Sequence, residues 1–327
     1  MKQLVLNFPQ QLSEALKIGQ SYTFQTPKKE FNNILLTGLG GSGIGGTVVQ
    51  NFVSEKMSVP FIVNKDYFLP GFVNEKTLVI VSSYSGNTEE TISAMQQAMK
   101  AKATVVCISS GGKIGDIAKK NNFDCIPLPG GMPPRSCLGY SMVQVLYVLH
   151  HFGYIKNDFE KSINAAIKTM IADEKNTQKE AKAIAKKLVG KTPIIYAASD
   201  FESVAVRFRQ QINENSKMLA WHHVVPEMNH NEIVGWRDKD KSRVAIFIRN
   251  ESDYKRTQLR MDINQTVIKK YSSSLEIWSK GKTFFEKVFS VVHLTDWVTV
   301  FLADLHGVDV TEVNVIDMLK GELAKAK

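Results

Sequence analysis

The apolar residues of the chain come in short blocks. After an N-terminal segment of helical character, the stretch Asn33-Ile34-Leu35-Leu36-Thr37 runs into a glycine cluster, and a helix is expected from about Ile44 towards Val53. The same strand, loop, helix unit recurs further on. Thr77 to Ser82 reads as a strand, Ser83 to Thr88 as a loop, and a helix follows to about Ala101, its first turn carrying Glu89-Glu90, which suit the positive end of a helix dipole. Thr104 to Ser109 and Cys125 to Leu128 are short apolar strands on either side of the helix-like Ile114 to Lys120. Strands alternating with helices predict a parallel sheet covered on both faces.

Ser136 to Phe152 forms a long apolar helix, and Asn157 to Leu188 a charged one dominated by Glu, Lys and Ala. A second alternation begins at Pro193 to Ser199, with a helix after Phe201 and strands at Arg243 to Arg249 and Ser274 to Trp278. The second half thus reads as a divergent repeat of the first. The expected fold is α/β, with two doubly wound parallel-sheet domains: residues 1–155, a helical linker at 156–190, and residues 191–327. The repeat is unequal at one place. Where the first half has Gly38-Leu39-Gly40-Gly41-Ser42-Gly43, the second has Ala198-Ser199-Asp200-Phe201-Glu202, without glycine. Only the first can readily cradle a phosphate.

Size and composition add limits. A chain of 327 residues suffices for two α/β cores, and 43% apolar with 22% charged residues is an ordinary globular balance. The apolar run at the start is too short for a signal sequence, and no segment approaches the roughly 18 uninterrupted apolar residues of a membrane span. A cytoplasmic protein without a membrane partner is expected. Cys107, Cys125 and Cys137 are odd in number and lack zinc or disulfide spacing, so they read as reduced core thiols. The formal charge of +9 comes from dispersed Lys and Arg, which argues against nucleic acid and for a field that concentrates small anions.

Gly38 to Gly43 also matches the G-x-G-x-x-G pattern of dinucleotide sites. Glycines there let backbone amides approach an anion at a helix N-terminus, physics that serves a pyrophosphate or a single phosphate equally. The second loop separates the two, because Ser83, Ser85 and Thr88 add three hydroxyls at the C-terminal edge of the next long strand, where ligands of such sheets bind. The acidic residue that would hold a ribose is missing from the end of Phe61-Ile62-Val63-Asn64-Lys65, although Asp66 is close by. A phosphate monoester is the better fit, with Gly41, Ser42, Ser83, Ser85 and Thr88 as its ligands. Turn and cap roles would explain either loop singly but not the pair.

Gly-Gly-Ser-Gly followed by Ser-x-Ser-Gly-Asn-Thr resembles the sugar isomerase (SIS) domain. With Pro133-Pro134-Arg135, Asn213-Glu214-Asn215 and the segment Asn229 to Trp236, the chain from about residue 25 onward resembles the bifunctional phosphoglucose/phosphomannose isomerase family. That resemblance implies two SIS-type domains and interconversion of glucose 6-phosphate, and mannose 6-phosphate, with fructose 6-phosphate. Such a reaction opens the sugar ring and moves a proton between C1 and C2 through an enediol, needing a base, an acid and a positive group but no metal or redox cofactor. The resemblance assigns Glu214 to the proton transfer, His230 to ring opening, Arg135 to the enediolate and Lys320 to the ring oxygen. It also implies a homodimer. Read without it, Glu214 is a solvated helix carboxylate and Lys320 lies on a charged terminal helix. The family's hydroxyl or amide upstream of the lysine is matched ambiguously by Thr311 to Asn314.

His222, His223, His230 and Glu232 do not have the spacing of a zinc site, and adjacent histidines on a strand would point to opposite faces. Two alternatives use the same phosphate loops. A hexosamine-phosphate enzyme of the amide-transferring kind would want an N-terminal Cys nucleophile and an ammonia-releasing domain, and a sugar-phosphate-sensing regulator would not need Glu214 or His230.

Overall fold

The computed structural model describes residues 1–325. In chain order the elements are α1 (Lys2–Leu6), α2 (Phe8–Ser21), β1 (Asn33–Thr37), α3 (Gly40–Val53), β2 (Phe61–Asn64), β3 (Thr77–Ser82), α4 (Glu89–Lys100), β4 (Thr104–Ser109), α5 (Gly112–Lys120), β5 (Asp124–Pro127), α6 (Leu138–His151) and α7 (Asp158–Leu188). Then follow β6 (Thr192–Ala198), α8 (Glu202–Ser216), β7 (Trp221–Val225), β8 (Arg243–Arg249), α9 (Lys255–Ile268), β9 (Ser273–Trp278), α10 (Phe284–His306) and α11 (Asn314–Leu323).

Two all-parallel sheets result, with strand orders β2-β1-β3-β4-β5 and β7-β6-β8-β9. The central strands are apolar throughout because both faces are covered, and the two-residue period of a strand divides each between two cores. Ile34, Leu36, Leu78 and Ile80 face one cluster, while Leu35, Val79 and Val81 face another. In the second sheet Ile195, Ala197, Ile246 and Ile248 turn to the same large cluster as Ile34, whereas Ile194, Tyr196 and Phe247 form a third. One face of each sheet therefore looks into a common core, filled by α2, α3, α6, α7, α8 and α10.

One expectation changes. The glycine cluster is the first turn of α3, four residues before the expected start at Ile44. Glycine is a poor helix former, but the contacts of this turn outweigh propensity: a Cβ on Gly41 would lie 2.6 Å from the Pro134 carbonyl oxygen. The charged stretch at α7 is a single helix burying Phe159, Ile163, Met170, Ile184 and Leu188 against the common core. By length and composition α10 could cross a membrane, yet 78% of its most apolar window is buried inside the protein. Its hydrophobicity serves the core.

Candidate active site

The two hydroxyl-bearing loops meet. The Tyr84 amide, inside the second loop, donates to Ser42 Oγ at 3.2 Å, and Ser83 Oγ lies 2.9 Å from Thr88 Oγ1. Ser42 and Ser83 are buried, while Ser85 is exposed and accepts from the Asn87 amide at 3.3 Å. Neither α3 nor α4 has a side-chain cap at its N-terminus. Both helix starts thus leave amides for an anion. Gly86 holds the second loop in its turn: its φ is +68°, and a Cβ would fall 1.7 Å from the Gly111 carbonyl oxygen. Lys65, after β2, approaches the first loop, its Cε 3.6 Å from where a Cβ on Gly43 would be. Loss of hydration lowers its ammonium pKa, Glu202 opposing the shift and Arg209 adding to it.

The packing of Gly41 on Pro134 sets Arg135 beside the first loop. Arg135, only 5% exposed, reaches into the second half of the chain. Its Nε donates to Asn215 Oδ1 and its Nη2 to the carbonyls of Val310 and Thr311, all at 2.9 Å. Nη1 stands 3.6 Å from Glu214 Oε2. Glu214 sits in the last turn of α8, its side chain 30% exposed. The turn ends on Lys217 in the left-handed region (φ 56°), whose Nζ donates to the Glu214 carbonyl at 2.6 Å and the Glu312 carbonyl at 2.9 Å.

His230 and Lys320 are not joined to this group. Both are exposed, and among the described residues no hydrogen bond or ion pair links either to Arg135 or Glu214. The segment around His230 is nevertheless firmly held. Glu232 accepts from the Tyr196 hydroxyl and lies 2.8 Å from His223 Nδ1, Trp236 Nε1 donates to Tyr196 Oη at 2.8 Å, and Asn229 Nδ2 donates to Asn264 Oδ1 at 2.5 Å. Lys320 lies on α11, which buries none of its side chains.

The adjacent histidines diverge to different carboxylates: His222 Nε2 is 3.5 Å from Glu202 Oε1, and His223 pairs with Glu232. Burial pushes the His222 pKa down, helped by Arg209 and opposed by Glu202. Among the described residues no three His, Cys, Asp or Glu side chains gather as a metal site would require. Sequence reasoning missed the polar seam behind Arg135. Arg207, Gln211 and Asn215 are spaced four apart on α8 and meet Asp296 and Thr299 of α10. The spacing was visible, but its partner lies some eighty residues away.

Two parallel sheets flanked by helices, with paired hydroxyl loops at the strand ends of one, define the phosphosugar-binding SIS class. In solved structures the same fold occurs in the C-terminal domain of glucosamine-fructose-6-phosphate aminotransferase from Francisella tularensis, with a TM-score of 0.75 at 13% identity, covering 94% of this chain and 97% of that one. Residues 177–323 match the family described as bacterial phospho-glucose isomerase C-terminal SIS domain. The bifunctional phosphoglucose/phosphomannose isomerase of Caldicellulosiruptor bescii is 40% identical over the whole of both chains, and that of Aquifex aeolicus 34% over 90% of this chain and 91% of its own. The chain belongs to the bifunctional phosphoglucose/phosphomannose isomerase family.

Proposed function

We infer that this protein is an aldose-ketose isomerase that interconverts glucose 6-phosphate and mannose 6-phosphate with fructose 6-phosphate. The observation that carries the site assignment is the approach of Arg135 Nη1 to Glu214 Oε2 at 3.6 Å, next to the loop that Gly41 packs on Pro134. Gly41, Ser42, Ser83, Ser85 and Thr88 hold the 6-phosphate. In the open-chain aldose the Glu214 carboxylate removes the C2 proton, and the C–H electrons form the C1–C2 double bond while O1 gains a proton. The same carboxyl returns its proton to C1 as the O2 hydroxyl loses one to become the ketone. Nη1 of Arg135 stabilises the charge that develops on the enediolate.

His230 is the ring-opening group and Lys320 the donor at the ring oxygen. Each is exposed, as a group serving a site completed on assembly would be. A homodimer is supported by α11, which presents Val315, Met318 and Leu319 to solvent. The halves 1–155 and 191–327, joined by 156–190, are centred on the two sheets. A cytoplasmic location fits a phosphorylated metabolite as substrate. The test is a coupled assay with each hexose 6-phosphate, with and without chelator. Turnover of glucose 6-phosphate and mannose 6-phosphate unaffected by chelator is expected, and no turnover of either would overturn the reading.

A further inference from the structure

A guanidinium has five N–H donors, and three of those on Arg135 are committed at 2.9 Å, leaving the two on Nη1. Which edge of the guanidinium stays free therefore depends on what fixes its rotation. Nε is held by Asn215, a fully buried side chain on the turn that carries Glu214. An isolated amide could present either its oxygen or its nitrogen. Here the choice is forced: Asn215 Nδ2 donates to Thr299 Oγ1 at 3.0 Å, and that hydroxyl spends its single hydrogen on the Asp296 carbonyl at 2.8 Å. Thr299 can only accept from the amide, so the Asn215 oxygen must face Arg135.

The same stripe of α8 grips Arg135 from its other end. Arg207 Nη1 donates to the Arg135 carbonyl at 3.3 Å, Arg207 Nη2 pairs with Asp296 Oδ2 at 2.6 Å, and Gln211 Nε2 donates to Asp296 Oδ1 at 3.1 Å. These groups are nearly or wholly buried, between helices that also pack through apolar side chains in the common core. The network has a direction, running from α10 through α8 to one nitrogen beside the reacting carboxylate.

We propose that Asn215, with its amide oriented by Thr299, is the positioning residue that rotates Arg135 so that Nη1 is the edge presented to the enediolate oxygen. This deepens the isomerase reading and rests on it. Preorganised donors act in the transition state without reorganisation, and a misplacement of about 1 Å can cost on the order of 100-fold in rate. Among the described residues the side chain of Asn215 makes no hydrogen bond to the phosphate loops, so substrate affinity is spared.

The test is a double-mutant cycle on the full-length protein, measuring kcat and KM for fructose 6-phosphate. Asn215→Leu is expected to lower kcat by roughly 10- to 100-fold with KM within about twofold. In an Arg135→Ala background the same change should cost less than about twofold further, since the group it acts through is gone. Thr299→Val should lower kcat like Asn215→Leu, and Thr299→Ser, which restores the hydroxyl, should recover it; this pair carries the test if Asn215→Leu folds poorly. Equal losses in both Arg135 backgrounds, or a change confined to KM, overturn the proposal while leaving the isomerase reading intact. Wild-type kcat in Arg135→Ala, or an inactive wild type, brings down the role of Arg135 itself and the proposal with it.

Discussion

The starts of α3 and α8 occupy equivalent places, each following the first central strand of its sheet, and they have opposite fates. At α3 the turn is Gly40-Gly41-Ser42-Gly43, with a loop of hydroxyls beside it. At α8 the Ser203 amide is taken by Asn51 Oδ1 of α3 at 3.3 Å, and the preceding Phe201, 3% exposed, packs into the common core. One helix start carries no side-chain cap, and the other takes one from the first half of the chain. The second half contributes through the far end of α8, where Glu214 and Asn215 meet Arg135. In the proposed reading, binding and proton transfer are divided between a helix N-terminus in one half and a helix C-terminus in the other.

That division can be broken by kinetics. Glu214→Gln should lose on the order of 10²–10⁴ in kcat, the usual worth of a positioned base, with KM little changed. Exchange of the substrate C2 proton with deuterated solvent reads the step directly, and exchange at the wild-type rate would place the base elsewhere. Replacing both Ser85 and Thr88 by Ala should do the reverse. Hydrogen bonds to a charged phosphate are worth about 1.5–3 kcal/mol each, so KM should rise by roughly tenfold or more per bond while kcat holds. An unaltered KM would remove the phosphate from this loop. The smallest effect is expected where the second half is closed: Asn51→Ala should lower stability by about 1 kcal/mol, the scale of a lost helix cap, and leave both kinetic constants alone. A raised KM in that variant, measured beside its thermal midpoint, would mean the two helix starts are less distinct than their packing suggests.

Much of this architecture is local and could be read from the chain. Uniform apolar strands such as Leu78 to Val81 announce burial on both faces, and the glycine and hydroxyl loops at 40–43 and 83–88 announce two loops that the fold brings together. The start of α3 was misread because the contact of Gly41 with Pro134, not helix propensity, decides it. The seam from Thr299 through Asn215 to Arg135 joins residues 84 and 80 positions apart, and no periodicity within a single element encodes such a pairing. His230 and Lys320 were named through family resemblance, and within one copy of the chain both remain exposed.

The common core also sets the order in which the protein can be completed as it is made. Phe8 on α2 packs edge-on against Phe289 and stacks on His293, both on α10, and Lys2 reaches Asp304 at 2.7 Å. The ribosome thus produces the floor of the core nearly three hundred residues before its lid. Until α10 emerges, Phe8 and the faces of α7 and α8 that α10 packs against lack their native cover, while α2 already has α6 and α7 beside it. A stall in translation before residue 284 would leave the apolar faces of α7 and α8 uncovered, the kind of surface that chaperones recognise.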